Sequence, residues 1–198
     1  MTRTLPPGRC VGTPGGSLTP SASFVANPQV AAMGRRGEEA TARVLDPWWS
    51  RPGGVAVFHD VSIPGSPANI DHVVVAGNRV WLIDSKCWKP AFYIRVGARA
   101  YRGWRRFRPA EKHVLDMAHD RLREHFARQG VAARFAPSTV VVWPSHDDAP
   151  LRVWALRRMP GARVVGPTRF AALARRRCRE AGDPQVCSVL TPLVKGPR

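Results

Sequence analysis

The chain lacks any apolar run that approaches the roughly 18 residues needed to cross a membrane as a helix. It also lacks a secretory signal pattern, because Pro6-Pro7-Gly8 interrupts the N-terminus before an apolar segment forms. We therefore expect no membrane partner and a cytoplasmic location.

Cysteine is scarce and forms no motif. The sequence contains no Cys-x-x-Cys pair, and the spacing of its histidines matches no zinc site. This pattern argues against a structural zinc site, and it predicts free thiols in a reducing compartment. The four cysteines are Cys10, Cys87, Cys178 and Cys187.

Acidic residues are few. The 198 residues include 14 Asp and Glu against 31 Lys and Arg, which gives a net charge of +17. Such a charge favours an anionic polymer or surface as partner, through steering and counterion release. Nearly all of the excess is arginine, however, and an Arg-, Ala-, Gly- and Pro-rich composition is also typical of a GC-rich genome.

Three regions are predicted along the chain. Residues 1–30 are rich in Pro, Gly, Ser and Thr and read as a disordered or loosely attached leader. Met33 precedes the first periodic segment, so translation starting there is a second hypothesis. Residues 34–182 are predicted to form the folded domain, and residues 183–198 a C-terminal tail.

The periodic segments predict an α/β fold with a mixed central β-sheet and helices on its faces. The first helix is expected from residue 34 to about residue 45, ended by Pro47. A second is expected from 110 to 129, and a closing helix from 168 to 181 with Thr168 as N-cap. The expected strands cover residues 55–61, 70–76, 79–87, 92–96, 138–143 and 162–165, with a further extended segment at 101–108.

The most informative segment is a predicted β-hairpin between residues 69 and 86. Gly77-Asn78 suits a two-residue turn between two apolar runs. Counting outward from that turn, Asp71 lies directly opposite Asp84, and Lys86 points to the same face of the sheet.

Two carboxylates in this arrangement need an explanation, because like charges placed directly opposite each other destabilise a sheet. Such a pair either shares a proton or binds a cation. Two carboxylates suit magnesium, which keeps several waters and binds phosphate oxygens, and a nearby lysine can orient or activate a water. The alternative is an Asp84–Lys86 ion pair at the end of a sheet, with Asp71 a solvated edge residue.

Three sequence blocks together resemble the nuclease-related domain family, NERD, of the PD-(D/E)xK restriction-endonuclease-like superfamily. The resemblance covers about residues 34–145 and implies a restriction-endonuclease-like core. The blocks are Gly34-x-x-Gly37-Glu38, Asn69-Ile70-Asp71-His72-Val73-Val74 and Ile83-Asp84-Ser85-Lys86-x-Trp88.

The resemblance implies a role for each matching residue. It makes Asp71 and Asp84 ligands of Mg²⁺ or Mn²⁺, and Lys86 the residue that positions or activates the attacking water. It makes Glu38 a helix-borne acid that binds the metal directly or through water. Family members commonly carry Glu where Asp84 stands. For Glu38 the helix dipole offers a separate explanation, since acidic residues are favoured in a first helical turn.

A second candidate region interleaves aromatic residues with four arginines. Aromatic rings stack on bases and arginines bind phosphate, so the segment suits single-stranded or distorted nucleic acid. The alternative is an edge strand with one apolar and one basic face. The candidate nucleic-acid contacts are Tyr101, Arg102, Trp104, Arg105, Arg106 and Arg108.

Two further polar residues lie beside the acidic pair. His72 faces away from Asp71 in the predicted register and is expected to be packed or buried. Asn69 shares the face of Lys86, where it either orients that lysine or reflects the polarity of a turn.

The sequence therefore predicts a magnesium-dependent nuclease that hydrolyses phosphodiester bonds, with DNA as the expected substrate. A second hypothesis is a non-catalytic nucleic-acid-binding module with a degraded nuclease site. A third is a basic protein of a ribosome or membrane surface, whose charge is its whole function. The residues do not specify an oligomeric state.

Overall fold

A mixed eight-stranded β-sheet lies at the centre of the computed structural model, which describes residues 8–17, 28–146 and 149–195. A second sheet has four strands. In chain order the strands are β1 (Arg9–Val11), β2 (Ala56–Ser62), β3 (Asn69–Ala76), β4 (Arg79–Trp88), β5 (Phe92–Val96), β6 (Arg99–Arg102), β7 (Arg105–Arg106), β8 (Arg134–Phe135), β9 (Ser138–Pro144), β10 (Arg152–Ala155), β11 (Arg158–Met159) and β12 (Ala162–Val165).

The larger sheet combines an antiparallel half with a parallel half. Its strand order is β1-β2-β3-β4-β9-β12-β11, with β8 paired to β4. Strands β2, β3 and β4 form an antiparallel meander, whereas β9 runs parallel to both β4 and β12. This is the mixed sheet that the sequence predicts, and the central strands are continuous apolar runs because both faces are covered.

Helices cover both faces of this sheet. Buried residues of α1 and α3 pack on one face, and those of α2 and α4 pack on the other. The predicted α/β class with flanking helices is therefore confirmed. The helices are α1 (Pro28–Trp49), α2 (Val114–Arg128), α3 (Pro167–Arg177) and α4 (Pro184–Leu190), with 3₁₀ turns at Arg108–Glu111 and Thr191–Leu193.

None of the helices in the described ranges combines the length and the apolar character that a membrane span requires.

The N-terminal part differs from the sequence prediction in three ways. Helix α1 begins at Pro28 and not at residue 34, so Glu38 lies beyond its first turn and the helix dipole does not explain that residue. Residues Arg9–Val11 of the expected leader form β1, which pairs in parallel with β2, while residues 1–7 and 18–27 lie outside the described part. Helix α1 also passes through Pro47 to Trp49, so the prediction that Pro47 ends it is wrong. Pro47 lies in the last turn, where its missing N–H removes a single hydrogen bond and few residues follow.

Helix α2 begins later than predicted. Pro109 belongs to the preceding 3₁₀ turn, and Lys112 is extended, so the chain enters α2 only at Val114. The predicted apolar stripe is confirmed, since Leu115, Ala118, Leu122 and Phe126 are all buried.

The C-terminal region also differs from the prediction. Helix α3 starts from Gly166 as N-cap, not from Thr168, and ends at Arg177. The expected tail contains α4, whose Leu190 is fully buried in the core. Asp183 is the N-cap of this helix, where its side chain accepts hydrogen bonds from the N–H groups of Gln185 and Val186.

Candidate active site

The hairpin of β3 and β4 has the predicted register. His72 pairs with Ile83 and Ala76 pairs with Arg79, so the next position outward places Asp71 opposite Asp84. Gly77 allows the tight turn because its φ of +55° lies in the left-handed region. The hairpin therefore brings both acidic residues to one face of the sheet.

Asp71 is held by the backbone of the opposite strand. Its Oδ2 accepts a hydrogen bond of 2.6 Å from the N–H of Ser85. Burial, together with the negative charges of Asp84 and Glu38, raises the pKa of Asp71 well above its ordinary value. The charge of Lys86 and the Ser85 hydrogen bond oppose this shift but do not cancel it.

Lys86 lies against the second carboxylate. Its Nζ is 2.5 Å from Oδ2 of Asp84, and both side chains are partly exposed. Burial lowers the pKa of Lys86, but the charges of Asp84 and Asp71 outweigh that effect and raise the pKa above its usual range. The side chain is therefore a stable ammonium, which can donate hydrogen bonds but cannot accept a proton.

Glu38 reaches the site from α1. The helix lies close to β4 at Gly37, where a Cβ would stand 3.4 Å from the Cβ of Cys87. Glu38 is 5% exposed, and its Oε2 accepts a hydrogen bond of 2.8 Å from Gly15 N–H. Burial raises the pKa of Glu38 to about 7, although the Gly15 hydrogen bond opposes the shift.

Glu38 interacts electrostatically with Asp71 and Asp84 but does not form a tight triad with them. Across the described ranges, no cluster of three or more His, Cys, Asp or Glu side chains is arranged to hold a metal ion. The role of Glu38 as a metal ligand, direct or through water, thus stays a prediction.

A cavity of about 260 Å³ opens over the hairpin acids. Asp71, Asp84 and Lys86 line it together, and an exposed cation that sequence reasoning did not select, Lys112, lies at its rim. Apart from its charge, Lys112 is marked in the sequence only by its position three residues after Pro109, which also lines the cavity. Apolar walls are supplied by Ala68, Val114, Leu115, Met159 and Pro160.

A further acid, Asp60, was missed by sequence reasoning. It is 2% exposed, its Oδ1 lies 2.5 Å from Nδ2 of Asn69, and its charge raises the pKa of Glu38. Its φ of +54° lies in the left-handed region, which is uncommon for residues other than glycine. The available signal was an Asp within the apolar run of β2. Asn69 lines the site cavity and connects Asp60 to it.

The opposite face of the hairpin carries a buried polar network. His72 is buried as predicted; its Nδ1 lies 2.7 Å from Nδ1 of His59, and its Nε2 lies 3.1 Å from Oγ of Ser85. The Ser85 hydroxyl is 2.7 Å from Oγ1 of Thr41, which also accepts a hydrogen bond from Trp143 Nε1. Burial lowers the pKa of both histidines, that of His59 to about 4, so both rings are neutral at pH 7.

The aromatic and basic segment runs from the end of β6 through β7 to the start of the 3₁₀ turn, where Arg108 lies. None of its six candidate residues is among the described residues that line the site cavity. Trp104 is fully exposed at the turn. Arg106 pairs with Glu111 at 2.9 Å, and the guanidinium of Arg102 lies 5.8 Å from the ring centroid of Phe107. Tyr101 is partly buried, whereas Arg105 and Arg108 are exposed.

β7 is an edge strand, as the alternative interpretation of this segment expects. Phe107 packs edge-on against Trp88 and Tyr93, with ring centroids 4.9 and 5.2 Å away. Contact between the six exposed or partly exposed residues and nucleic acid stays a prediction.

Comparison with known proteins gives one match. A family model described as NERD, nuclease-related domain, matches residues 33–141, which contain α1 from Met33 onward, the hairpin and most of β9. No curated protein and no solved structure matches the chain.

Proposed function

This chain belongs to the NERD family, and we propose that it is a metal-dependent nuclease that hydrolyses phosphodiester bonds in DNA. The observation that supports the proposal most strongly is the shared cavity of Asp71, Asp84 and Lys86. The net charge of +17 supports a nucleic acid as substrate. A cytoplasmic location stays a prediction.

The donor set fits Mg²⁺ or Mn²⁺. Magnesium is usually held by one or two carboxylates together with waters and substrate phosphates, so a full cage of protein ligands is not needed. Asp71 and Asp84 would hold the ion. The raised pKa of Asp71 reflects burial and a local excess of negative charge, which a divalent cation would relieve.

In the proposed reaction a water oxygen bonds to phosphorus and the water gives up a proton to solvent, while the bond from phosphorus to the leaving oxygen breaks and that oxygen takes up a proton, so the net change is the addition of one water. A divalent cation held by Asp71 and Asp84 would supply positive charge to stabilise the phosphate and the leaving oxygen. Lys86, as an ammonium, donates hydrogen bonds that orient the water or hold a phosphate oxygen. Lys112 contacts the phosphate from the rim, and Leu115 and Met159 exclude bulk water.

A non-catalytic nucleic-acid-binding module is the second candidate. It is favoured by the short ion pair of Lys86 with Asp84 and by the lack of a three-ligand cluster in the part of the chain that the structure describes. In this alternative, the acidic residues of the hairpin would only stabilise the fold, and no metal would bind.

Cleavage of labelled single- and double-stranded DNA in Mg²⁺, Mn²⁺ or EDTA tests the proposal. The variants are Asp84→Asn and a matched control, Asp120→Asn, which removes an exposed carboxylate of α2. We expect metal-dependent cleavage by wild type and by the control, and no cleavage by Asp84→Asn.

Two other outcomes contradict the nuclease proposal. Salt-sensitive DNA binding without cleavage by any variant would support the binding module. Equal cleavage by wild type and Asp84→Asn would identify a contaminating nuclease or a different site.

The metal is tested separately by thermal unfolding. Binding of Mg²⁺ or Mn²⁺ to the native state should raise the melting temperature of wild type and Asp120→Asn by mass action, but not that of Asp84→Asn. An unchanged melting temperature in wild type at millimolar metal would remove the metal from the proposal.

A further inference from the structure

A basic groove of about 920 Å³ lies outside the candidate active site, between β10, β11, β12 and the start of α3. We call it the β10–β12 groove. Four exposed arginines line it, and among the described residues none of the four is ion-paired with a carboxylate. They are Arg157, Arg158, Arg163 and Arg169.

The arginines are placed at a cost to the fold. Arg158 and Arg163 are direct partners across the antiparallel pair β11–β12, and like charges directly opposite destabilise a sheet. Arg157 has a φ of +44°, in the left-handed region where a residue with a side chain is strained. The repulsion between Arg158 and Arg163 is relieved if an anion binds in the groove and neutralises their charge.

An exposed aromatic ring lies among these charges. Trp154 lines the groove, is 67% exposed, and packs on one side against Phe92 with ring centroids 5.5 Å apart. The support from Phe92 holds the indole in place while leaving part of its surface open to solvent. A supported, exposed indole beside guanidinium groups without carboxylate partners combines a stacking platform with phosphate contacts.

The groove adjoins the active-site cavity. Arg158 lines the groove and the next residue, Met159, lines the cavity, and both belong to β11, the edge strand of the larger sheet. Successive side chains of a strand point to opposite faces, so the groove and the cavity open on opposite sides of this edge. A polymer bound in the groove would reach Asp84 and Lys86 by passing around the edge of the sheet.

We propose that the β10–β12 groove binds a single strand of nucleic acid, with Trp154 stacking on a base and the arginines contacting its phosphates. A single strand fits because its bases are free to stack, whereas those of a duplex are stacked on each other. That this strand is the substrate rests on the proposed nuclease function; binding of the strand does not.

The test measures fluorescence anisotropy of a labelled single-stranded oligonucleotide in EDTA, with the full chain. The variants are Trp154→Ala, Trp154→Phe and the double variant Arg163→Gln/Arg169→Gln. The matched control is Arg175→Gln/Arg176→Gln, which removes the same charge from α3 outside the groove.

We expect Trp154→Ala to weaken binding by roughly tenfold, in the range measured when one base stack is removed. Trp154→Phe should restore most of the affinity. The groove double variant should weaken binding and reduce the salt slope by about 0.7 for each phosphate that is no longer neutralised. The control should bind within about twofold of wild type, because its two arginines lie outside the path of the strand.

Two results would overturn the inference. One is equal weakening by the groove variant and its control with Trp154→Ala unchanged, which would show that the net charge alone binds the strand. The other is tighter binding of a duplex of the same length with no dependence on Trp154.

The outcome is independent of the nuclease assay because EDTA removes the metal. If the groove variants bind the oligonucleotide as tightly as wild type does, and wild type cleaves DNA, the inference is refuted and the proposed function is kept. Groove-dependent binding without cleavage would keep the inference and refute the nuclease.

Discussion

The N–H of Ser85 donates a 2.6 Å hydrogen bond to Oδ2 of Asp71 across the hairpin, while the Ser85 side chain points into the buried network on the other face. The carboxylate is therefore oriented by a backbone group, whose position depends on how β3 and β4 pack. Since the network connects that hairpin to Thr41 of α1, its integrity affects the geometry of the acidic pair.

The network should be sensitive to removal of the Thr41 hydroxyl. Thr41→Val leaves Trp143 Nε1 and Ser85 Oγ without this partner, so we expect the free energy of unfolding to fall by about 1–3 kcal/mol. Thr41→Ser keeps the hydroxyl and should be less destabilised. Urea unfolding of the three proteins at pH 7 measures this, and a Thr41→Val variant as stable as wild type would mean that the hydroxyl does not stabilise the site.

Lys86 should affect catalysis more than binding. Replacing it with methionine removes the ammonium near the reacting phosphate, and removal of one such donor typically lowers the rate by about 10²–10³-fold. Lys86→Arg keeps the charge and should retain part of the activity. Single-turnover cleavage with saturating Mg²⁺ gives the rates, and anisotropy gives DNA affinity. A methionine variant that cleaves at the wild-type rate would exclude Lys86 from the mechanism.

Glu38 should make stability depend on pH in the absence of metal. Its pKa rises from 4.5 to about 7 on folding, so the native state binds more protons between these values. The stabilisation is complete below the unfolded pKa and is lost as pH rises, by up to about 1.4 kcal/mol per pH unit. Glu38→Gln should therefore become progressively more stable relative to wild type as pH rises toward 7.

The measurement for Glu38 is urea unfolding in EDTA at several pH values, read as the difference between variant and wild type. His59 and His72 have lowered pKa values and give the opposite slope at acid pH, but both proteins share them, so they cancel in the difference. A difference that stays constant with pH would contradict the raised pKa of Glu38.

Asp183 should stabilise the C-terminal helix as its N-cap. Its Oδ1 accepts hydrogen bonds from the N–H groups of Gln185 and Val186, and removal of such a cap costs about 1 kcal/mol. Asp183→Ala should lower the melting temperature, whereas Asp183→Asn keeps the acceptor and should lie close to wild type. Identical melting of all three proteins would show that α4 does not depend on its cap.

Local pattern was sufficient for the elements that carry the candidate site. The turn at Gly77 between two apolar runs determines a register in which Asp71 and Asp84 must face each other. Side chains alternate with a period of two along a strand, so this juxtaposition needs no tertiary information. The apolar stripe of α2 from Leu115 to Phe126 could also be predicted from the sequence, because the helical period of 3.6 residues is a local pattern.

The sequence pattern did not predict the short strands. β8 and β11 contain two residues each, and β10 contains four, which is too short to show a period. Strand β1 lies in a Pro- and Gly-rich region and exists because the edge of β2 offers it backbone partners. The β10–β12 groove depends on these elements, so its arginines had no sequence signal beyond their charge.

The sequence by itself determined the hairpin acids, the lysine beside them, the alternation that buries His72 and the excess of positive charge, because these follow from local spacing and composition. Only the tertiary structure decided that Glu38 meets Gly15, that Lys112 reaches the cavity rim, and that Asp60 lies nearby. It also brought Trp154 and four arginines together in the β10–β12 groove. Those contacts join segments far apart in the chain, and their geometry depends on how helices and strand edges pack.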